Sequence, residues 1–242
     1  MASFKTHKTA LLTGAGQRIG RAIALKLASM GYSIAAHYNQ SQKEAEELAR
    51  DVRALKQKAE TFQCNLFDSD AVSTLINSVR KKFPGLSLLV NNASIFEKSE
   101  FPTSSVKNLE RYLAVHLKAP YILTQEFARL CKSGSIINIL DTHISDNTTN
   151  HFDYLLSKKA LAEFTKQAAV ALAPKIRVNG IAPGLILPPA QEKANYLNRL
   201  AQKIPLKRKG DIKNITQAVE FLATSGYVTG QILFVDGGEH LI

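Results

Sequence analysis

Thr9–Ser41 reads TALLTGAGQRIGRAIALKLASMGYSIAAHYNQS. An apolar run, TALLTG, leads into a glycine-bearing loop and then into a helical pattern over Arg18–Met30. A second apolar run, YSIAAHY, follows. Strand, turn, helix, strand is the plan of a parallel βαβ unit, in which the turn's amides and the helix N-terminus face an anionic group. Gly14 suits the tight turn, and Gly20 lets the helix pack closely. A strict G-x-G-x-x-G would need glycine at position 19, where Ile19 stands. The loop's place between strand and helix therefore carries more weight than its letters. It is expected to cradle a dinucleotide pyrophosphate, with Gly14, Gln17, Arg18 and Ile19 against it.

The same alternation continues along the chain. Further apolar runs are AETFQCN, LSLLVNNAS, SIINIL, IRVNGIAPG and QILFVDGG. Helical patterns occupy 41–56, 69–82, 104–131, 152–173, 189–203 and 211–225. Near-continuous apolar strands alternating with helices predict an α/β fold. The expected form is one Rossmann-type domain over 1–242: a doubly wound parallel sheet of about seven strands, with helices on both faces. No linker or solenoid repeat breaks it.

At 242 residues and 45% hydrophobic composition, the chain can bury one sizeable core. The N-terminal MASFKTHKTALL lacks signal-peptide order, and no apolar run is long enough to span a bilayer. Cys64 and Cys131 alone make no disulfide framework, so a reducing cytoplasm is expected and both read as core residues. The net charge of +11 favours anionic partners. The basic residues are scattered without interleaved aromatics, so a phosphorylated cofactor is preferred to nucleic acid, beside the plain alternative of a solvated basic surface. His7, His37, His143, His151 and His240 show no ligand spacing, so no metal is expected.

The second strand's end reports on the ribose. A carboxylate there usually holds the 2′-hydroxyl of NAD. IAAHYNQSQK, 34–43, contains no acid and offers His37, Tyr38, Asn39, Gln40 and Ser41. Neutral donors with a nearby Arg18 suit a 2′-phosphate, so NADPH is favoured. Arg18 as a surface helix residue and Ser41 as a helix cap are the alternatives.

In SIINILDTHISDNTTNHFDYLLSKKALAEF, Tyr154 and Lys158 stand i, i+4 and share a helix face. A free phenol, with a pKa of about 10, is a poor proton carrier near neutrality. An adjacent ammonium lowers that value, whereas a carboxylate such as Asp141 raises it. The group is expected to titrate as a coupled unit. Such a pair is common on surfaces; what distinguishes this one is its place after a strand ending in Asp141, in a chain with a dinucleotide loop.

Together TGAGQRIG, NNAS (91–94), YLLSK (154–158), RVNGIAPG (177–184) and VTGQILFVDGG give a sequence that resembles the short-chain dehydrogenase/reductase family over nearly its whole length. The resemblance implies a nicotinamide cofactor, a homotetramer or homodimer, Tyr154 as proton donor and Lys158 on the nicotinamide ribose. It also implies Asn92 and Ala93 on the adenosine side, Pro183, Gly184 and Leu185 near the nicotinamide, and Asn65 and Leu66 by the adenine. Departures are informative. Arg18 replaces the loop's middle glycine, Asp141 the usual serine, His116 a helix asparagine of the proton relay, and Asn65 an acidic residue that often meets the adenine. The first two changes, with HYNQS and NNASIF, resemble the pteridine reductases. The His116 region and DGGEHLI look closest to the dihydromonapterin reductase branch, which also reduces dihydrofolate.

This resemblance implies hydride transfer from NADPH to a 7,8-dihydropterin. Arg18 and Ser94 would meet substrate, Phe96 would stack on it, and Asp141, Tyr154 and Leu185 would complete the pocket. Asp141 as a turn or cap and Phe96 as core packing remain alternatives. Residues 187–209 are expected to form a lid whose basic end meets an anionic tail such as folate's glutamate. A carbonyl or 3-oxoacyl-thioester reductase is the second reading, and a non-catalytic NADP-binding regulator the third.

Overall fold

A computed structural model describes residues 8–148, 150–188 and 196–242. Seven parallel strands form one sheet in the order β3-β2-β1-β4-β5-β6-β7. They are β1 Thr9–Leu12, β2 Ser33–Tyr38, β3 Ala59–Gln63, β4 Leu86–Asn91, β5 Gly134–Ile139, β6 Ile176–Pro183 and β7 Ile232–Val235. The main helices are α1 Arg18–Ser29, α2 Gln42–Ala54, α3 Ser69–Lys82, α4 Val106–Leu113, α5 Ala119–Leu130, α6 Phe152–Leu172, α7 Tyr196–Ala201 and α8 Ile212–Thr224. Strand order reverses between β1 and β4, where doubly wound sheets bind ligands at their strands' C-terminal ends.

The central strands are apolar because both faces are covered. Alternation along β1 sends Ala10 and Leu12 into a core with Ile23 and Leu27 of α1 and Val219 of α8. Leu11 points the other way, into a core with Leu75 and Ile76 of α3, Leu123 and Phe127 of α5, and Ala168 of α6. All of the β1 and β2 side chains except Tyr38 are buried.

The expected helices fall within a few residues of those observed, with two differences. The 104–131 pattern is not one α-helix. It is α4 and α5 joined by a π turn, Ala114–Lys118, which buries Val115 and His116. An extra residue per turn rotates the following side chains about the axis, and apolar periodicity does not register it. For the 189–203 pattern, α7 is observed, while 189–195 lie outside the described residues, as do 1–7 and 149. No described helix is long and apolar enough to cross a membrane.

Capping starts the helices near the site's edge. The Asp68 carboxylate accepts from the Asp70 and Ala71 amides at 3.0 and 3.1 Å, and Asp211 forms a capping box with Asn214. Asp68→Ala should cost about 1 kcal/mol of stability in urea unfolding. An unchanged midpoint would show that solvent satisfies the α3 amides equally well.

Candidate active site

The strand ends converge on one cleft. Thr13 follows β1, and its hydroxyl accepts from the Asn92 and Ala93 amides at 2.9 and 3.0 Å, joining the β1 and β4 ends. The Asn92 side chain donates to the Thr13 and Gly14 carbonyls at 2.9 and 3.0 Å, so its amide braces the loop. Gly14 has φ +62°, the left-handed region that glycine adopts freely. A Cβ on Gly20 would lie 2.2 Å from the Gly14 carbonyl oxygen, so only glycine lets α1 begin this close to the loop. Gln17 and Arg18 are exposed at the start of α1, and Ile19 is half-buried.

Arg18 also has positive φ, +50°. The position occupied by glycine in the family pattern is thus one where a side chain is strained, at a cost on the order of 1 kcal/mol or more. The Arg18 guanidinium donates to the Pro188 carbonyl at 2.7 Å. It therefore bridges from the loop to the segment following β6, and is not simply a solvated helix residue.

His37 differs from its expected role. Its Nδ1 accepts from the Gly14 amide at 3.1 Å, and its Nε2 therefore donates to the Cys64 carbonyl at 2.9 Å. The ring is buried, and burial lowers its pKa to about 4. With both nitrogens committed, His37 shapes the loop from behind and has no ring donor left for a phosphate, unlike the neutral hydrogen-bonding group expected there. Tyr38, Asn39 and Ser41 are half-exposed, and Gln40 is exposed. Ser41 sits at the N-cap position of α2, yet its side chain makes no cap bond, which leaves the hydroxyl free at a helix N-terminus. Asn65 is exposed, its side chain accepting from the Phe67 amide at 3.1 Å, and Leu66 is buried in the α3-side core.

At the C-terminal end of β5, Asp141 caps a short 3-10 turn, Thr142–Ser145. Its Oδ1 accepts from the His143 amide at 2.9 Å. Its Oδ2 accepts from the Tyr154 hydroxyl at 2.8 Å. The cap and the active-site partner are therefore one residue. Lys158 is buried and donates to the Ile139 carbonyl at 2.8 Å; its ammonium lies 5.7 Å from the Tyr154 ring centre.

The electrostatics settle the opposition between Asp141 and Lys158. Burial, then the Asp141 charge, holds the Tyr154 phenol well above its usual range. Burial lowers the Lys158 ammonium to about 8, although Asp141 pulls it up. Tyr154 is thus a protonated donor at neutral pH, and Lys158 does not offset the carboxylate that its hydroxyl faces.

Phe96 is not core: it is 48% exposed and meets the Tyr154 ring edge-on at 4.9 Å and 88°. His151 stacks on it at 4.2 Å and 25°, a partner that sequence reasoning missed. His151 precedes α6 with φ +56°, a backbone state that nothing in its local sequence announces. Ser94 is exposed, Ala93 half-buried, and the Ser94 hydroxyl lies 3.0 Å from His116 Nε2. Pro183 ends β6 beside Val235 of β7, and Gly184 and Leu185 follow. A Cβ on Gly184 would come within 2.6 Å of Asp236 Cβ, so the close approach requires glycine. The basic residues Lys203, Lys207, Arg208 and Lys209, in the segment expected to form a lid, are solvent-exposed.

Sequence reasoning also missed the C-terminal brace. The Asp236 carboxylate accepts from the Thr142 hydroxyl at 2.6 Å and from the Gly238 and His240 amides at 2.9 Å each. These bonds hold its pKa below the usual range despite burial, and they fix the turn that carries Asp141. Cys64 and Cys131 are buried free thiols, and burial pushes Cys64 up to about 11. Among the described residues, no group of three or more His, Cys, Asp or Glu is placed to hold a metal ion.

A family model described as enoyl-(acyl carrier protein) reductase matches residues 14–240. The chain belongs to the short-chain dehydrogenase/reductase family. It is an oxidoreductase of that family. Among solved structures it is similar to FolM alternative dihydrofolate reductase 1 from Brucella canis, a complex with NADP. Identity is 35% and the TM-score 0.91, covering 97% of this chain and 95% of that one. Among curated relatives, 3-oxoacyl-[acyl-carrier-protein] reductase FabG of Staphylococcus epidermidis is 32% identical, covering 97% of this chain and 100% of its own. Dihydromonapterin reductase of Escherichia coli is 31% identical, with 96% of each chain covered. Membership accounts for the Tyr154–Lys158 pair and the loop; Asp141 and Arg18 are departures from the general family pattern.

The two buried imidazoles set a pH dependence. His37 lies at about 4 and His116 at about 2, both below the ordinary 6.5, because burial disfavours their charged forms. The unfolded chain therefore binds more protons. The stability they contribute is full above about 6.5 and is lost as pH falls toward 4. His143, raised by Asp146, Asp141 and Glu239 against burial, offsets part of this loss. Urea unfolding should show lower stability at pH 5 than at pH 7.5, with a smaller drop in His37→Gln. Equal stability at the two pH values would contradict neutral buried rings.

Proposed function

We propose that this short-chain reductase uses NADPH to reduce a 7,8-dihydropterin, such as dihydromonapterin, dihydrobiopterin or dihydrofolate, to its tetrahydro form. The observation that carries this reading is the Tyr154 hydroxyl held at 2.8 Å by the Asp141 carboxylate, beside the half-exposed Phe96 ring. A carboxylate there suits a basic ring nitrogen as proton acceptor; a serine hydroxyl would suit a carbonyl oxygen. A half-exposed aromatic ring gives a flat heterocycle a stacking surface. The dihydromonapterin reductase and FolM relatives support the same choice.

The cleft fits the cofactor. The Gly14 loop and the α1 N-terminus form the pyrophosphate cradle, where a Cβ on Gly14 would press within 3.0 Å of the Ala93 Cα. Tyr38, Asn39, Gln40 and Ser41 provide acid-free hydrogen-bonding groups for a 2′-phosphate at the α2 N-terminus. Asn65, Leu66, Asn92, Ala93, Pro183, Gly184 and Leu185 would line the remaining length. Lys158 would reach the nicotinamide ribose. When bound, NADPH supplies the hydride that adds to C6 of the pterin.

The chain's residues handle the proton. Tyr154 is protonated at neutral pH and donates to N5 as the C6–N5 double bond is reduced. Asp141 holds the phenol oxygen in place; on transfer the hydroxyl's single hydrogen turns from Asp141 to N5, and the half-exposed carboxylate then provides the return path for a solvent proton, through a water. Arg18 and Ser94 meet the polar edge of the substrate, Phe96 one of its faces, and Leu185 its rim.

The FabG relatives and the description of the matching family model favour a second reading, reduction of a 3-oxoacyl thioester on the same fold. NADPH oxidation with 7,8-dihydromonapterin and, in parallel, with an acetoacetyl thioester separates the two. The expected result is turnover confined to the pterin. Turnover confined to the thioester overturns the proposal. Asp141→Ser should lower pterin kcat by at least tenfold, a typical share for a positioned proton-transfer group, with NADPH affinity little changed.

A further inference from the structure

His116 occupies the position of a relay asparagine, but its surroundings do not suit a relay. It is fully buried in the π turn between α4 and α5. The Ile95 amide lies 3.2 Å from its Nε2. A backbone amide only donates, so Nε2 carries the lone pair and Nδ1 the hydrogen. Nδ1 then donates to the Ser157 hydroxyl at 2.8 Å, and Ser157 donates to the Tyr154 carbonyl at 2.6 Å. The Ser94 hydroxyl approaches Nε2 at 3.0 Å. The direction of every hydrogen bond in this chain is set by one amide, and both ring nitrogens are in use.

We propose that His116 is a positioning residue that fixes the substrate wall, Ser94–Phe96, against the catalytic helix α6. One side of the ring holds the loop at Ile95, between the two residues assigned to substrate. The other side holds the helix through Ser157, one turn past Tyr154. The ring packs edge-on against Tyr154 at 5.4 Å and 85°, and at 5.7 Å from Tyr112. Tyr112 in turn accepts from the Glu97 amide at 2.8 Å and donates to the Glu97 carbonyl at 3.0 Å, so the wall is pinned on both sides of Phe96. The π turn is what brings the imidazole inward to span the gap. His116 thereby determines how well the wall accepts a flat substrate, without itself moving a proton. The neutral ring, its charge disfavoured by burial and by Lys158, agrees with that role.

This inference rests on the proposed pterin site, and its test has one arm that does not. The two nitrogens can be separated by substitution, because an asparagine amide places its polar atoms near the position of Nδ1 and a glutamine amide near that of Nε2. His116→Gln keeps the hold on the wall and His116→Asn keeps the hold on the helix. His116→Leu loses both.

The first readout is hydrogen exchange of the Ile95 amide, with NADPH affinity confirming that each variant is folded. Protection should persist in His116→Gln and drop at least tenfold in His116→Asn and His116→Leu, the scale of one lost buried hydrogen bond. The second is steady-state kinetics with 7,8-dihydromonapterin. KM should rise about tenfold in His116→Asn and stay within about twofold in His116→Gln, with kcat changing less than KM in both. Equal protection of Ile95 in all variants overturns the proposal. So does a fall in kcat at constant KM, which would restore His116 to the proton path. If wild-type protein does not reduce the pterin while Ile95 protection follows the predicted order, the pterin reading has failed and the tether stands.

Discussion

A phenol hydrogen-bonded to a carboxylate inside a protein is under contrary pressures. The bond orients the hydroxyl, while the charge and the low polarity both oppose loss of its proton. In this chain Tyr154 stands under that regime, with its hydroxyl 2.8 Å from Asp141 and its ring buried. The nearby Lys158 ammonium donates to the Ile139 carbonyl and is itself pushed toward neutrality by burial. The site therefore holds a tyrosine that keeps its proton at neutral pH.

The scaffold does so through close approaches that tolerate little variation. Gly20 against the Gly14 carbonyl, Gly184 against Asp236, and the Thr13–Asn92 bonds draw the ends of β1, β4 and β6 into one rim. His37 sets the loop from beneath, His116 sets the aromatic wall, and Asp236 sets the turn that carries Asp141. Arg18 stands apart because it accepts backbone strain where glycine would be free, and its guanidinium spans to Pro188. A strained residue persists only where surrounding contacts over-determine it. That bridge links the loop after β1 to the segment that follows β6.

The sheet was legible in the sequence because its central strands, buried on both faces, read as apolar runs that alternate with helical patterns. Tyr154, Lys158 and Asp141 were legible because i, i+4 spacing and position after a strand carry chemical meaning. What was hidden depends on geometry that periodicity does not encode. The π turn leaves the apolar repeat of 104–131 intact while turning His116 inward. His37 looked like a polar strand end, but its ring reaches back to the Gly14 amide from the neighbouring strand. His151 beside Phe96 depends on a left-handed backbone at a non-glycine residue, and the Asp236 brace joins residues 94 positions apart.

The most direct test of the Tyr154–Asp141 account is a carbon NMR titration of ring-labelled tyrosine in the ligand-free protein, with Tyr154→Phe used to assign the signal. The account predicts a Tyr154 phenol that remains protonated beyond the pH where exposed tyrosines ionise, with its titration moved to lower pH in Asp141→Asn. A Tyr154 signal already ionised near neutral pH would show that Lys158, and not Asp141, governs the phenol, and would contradict the account.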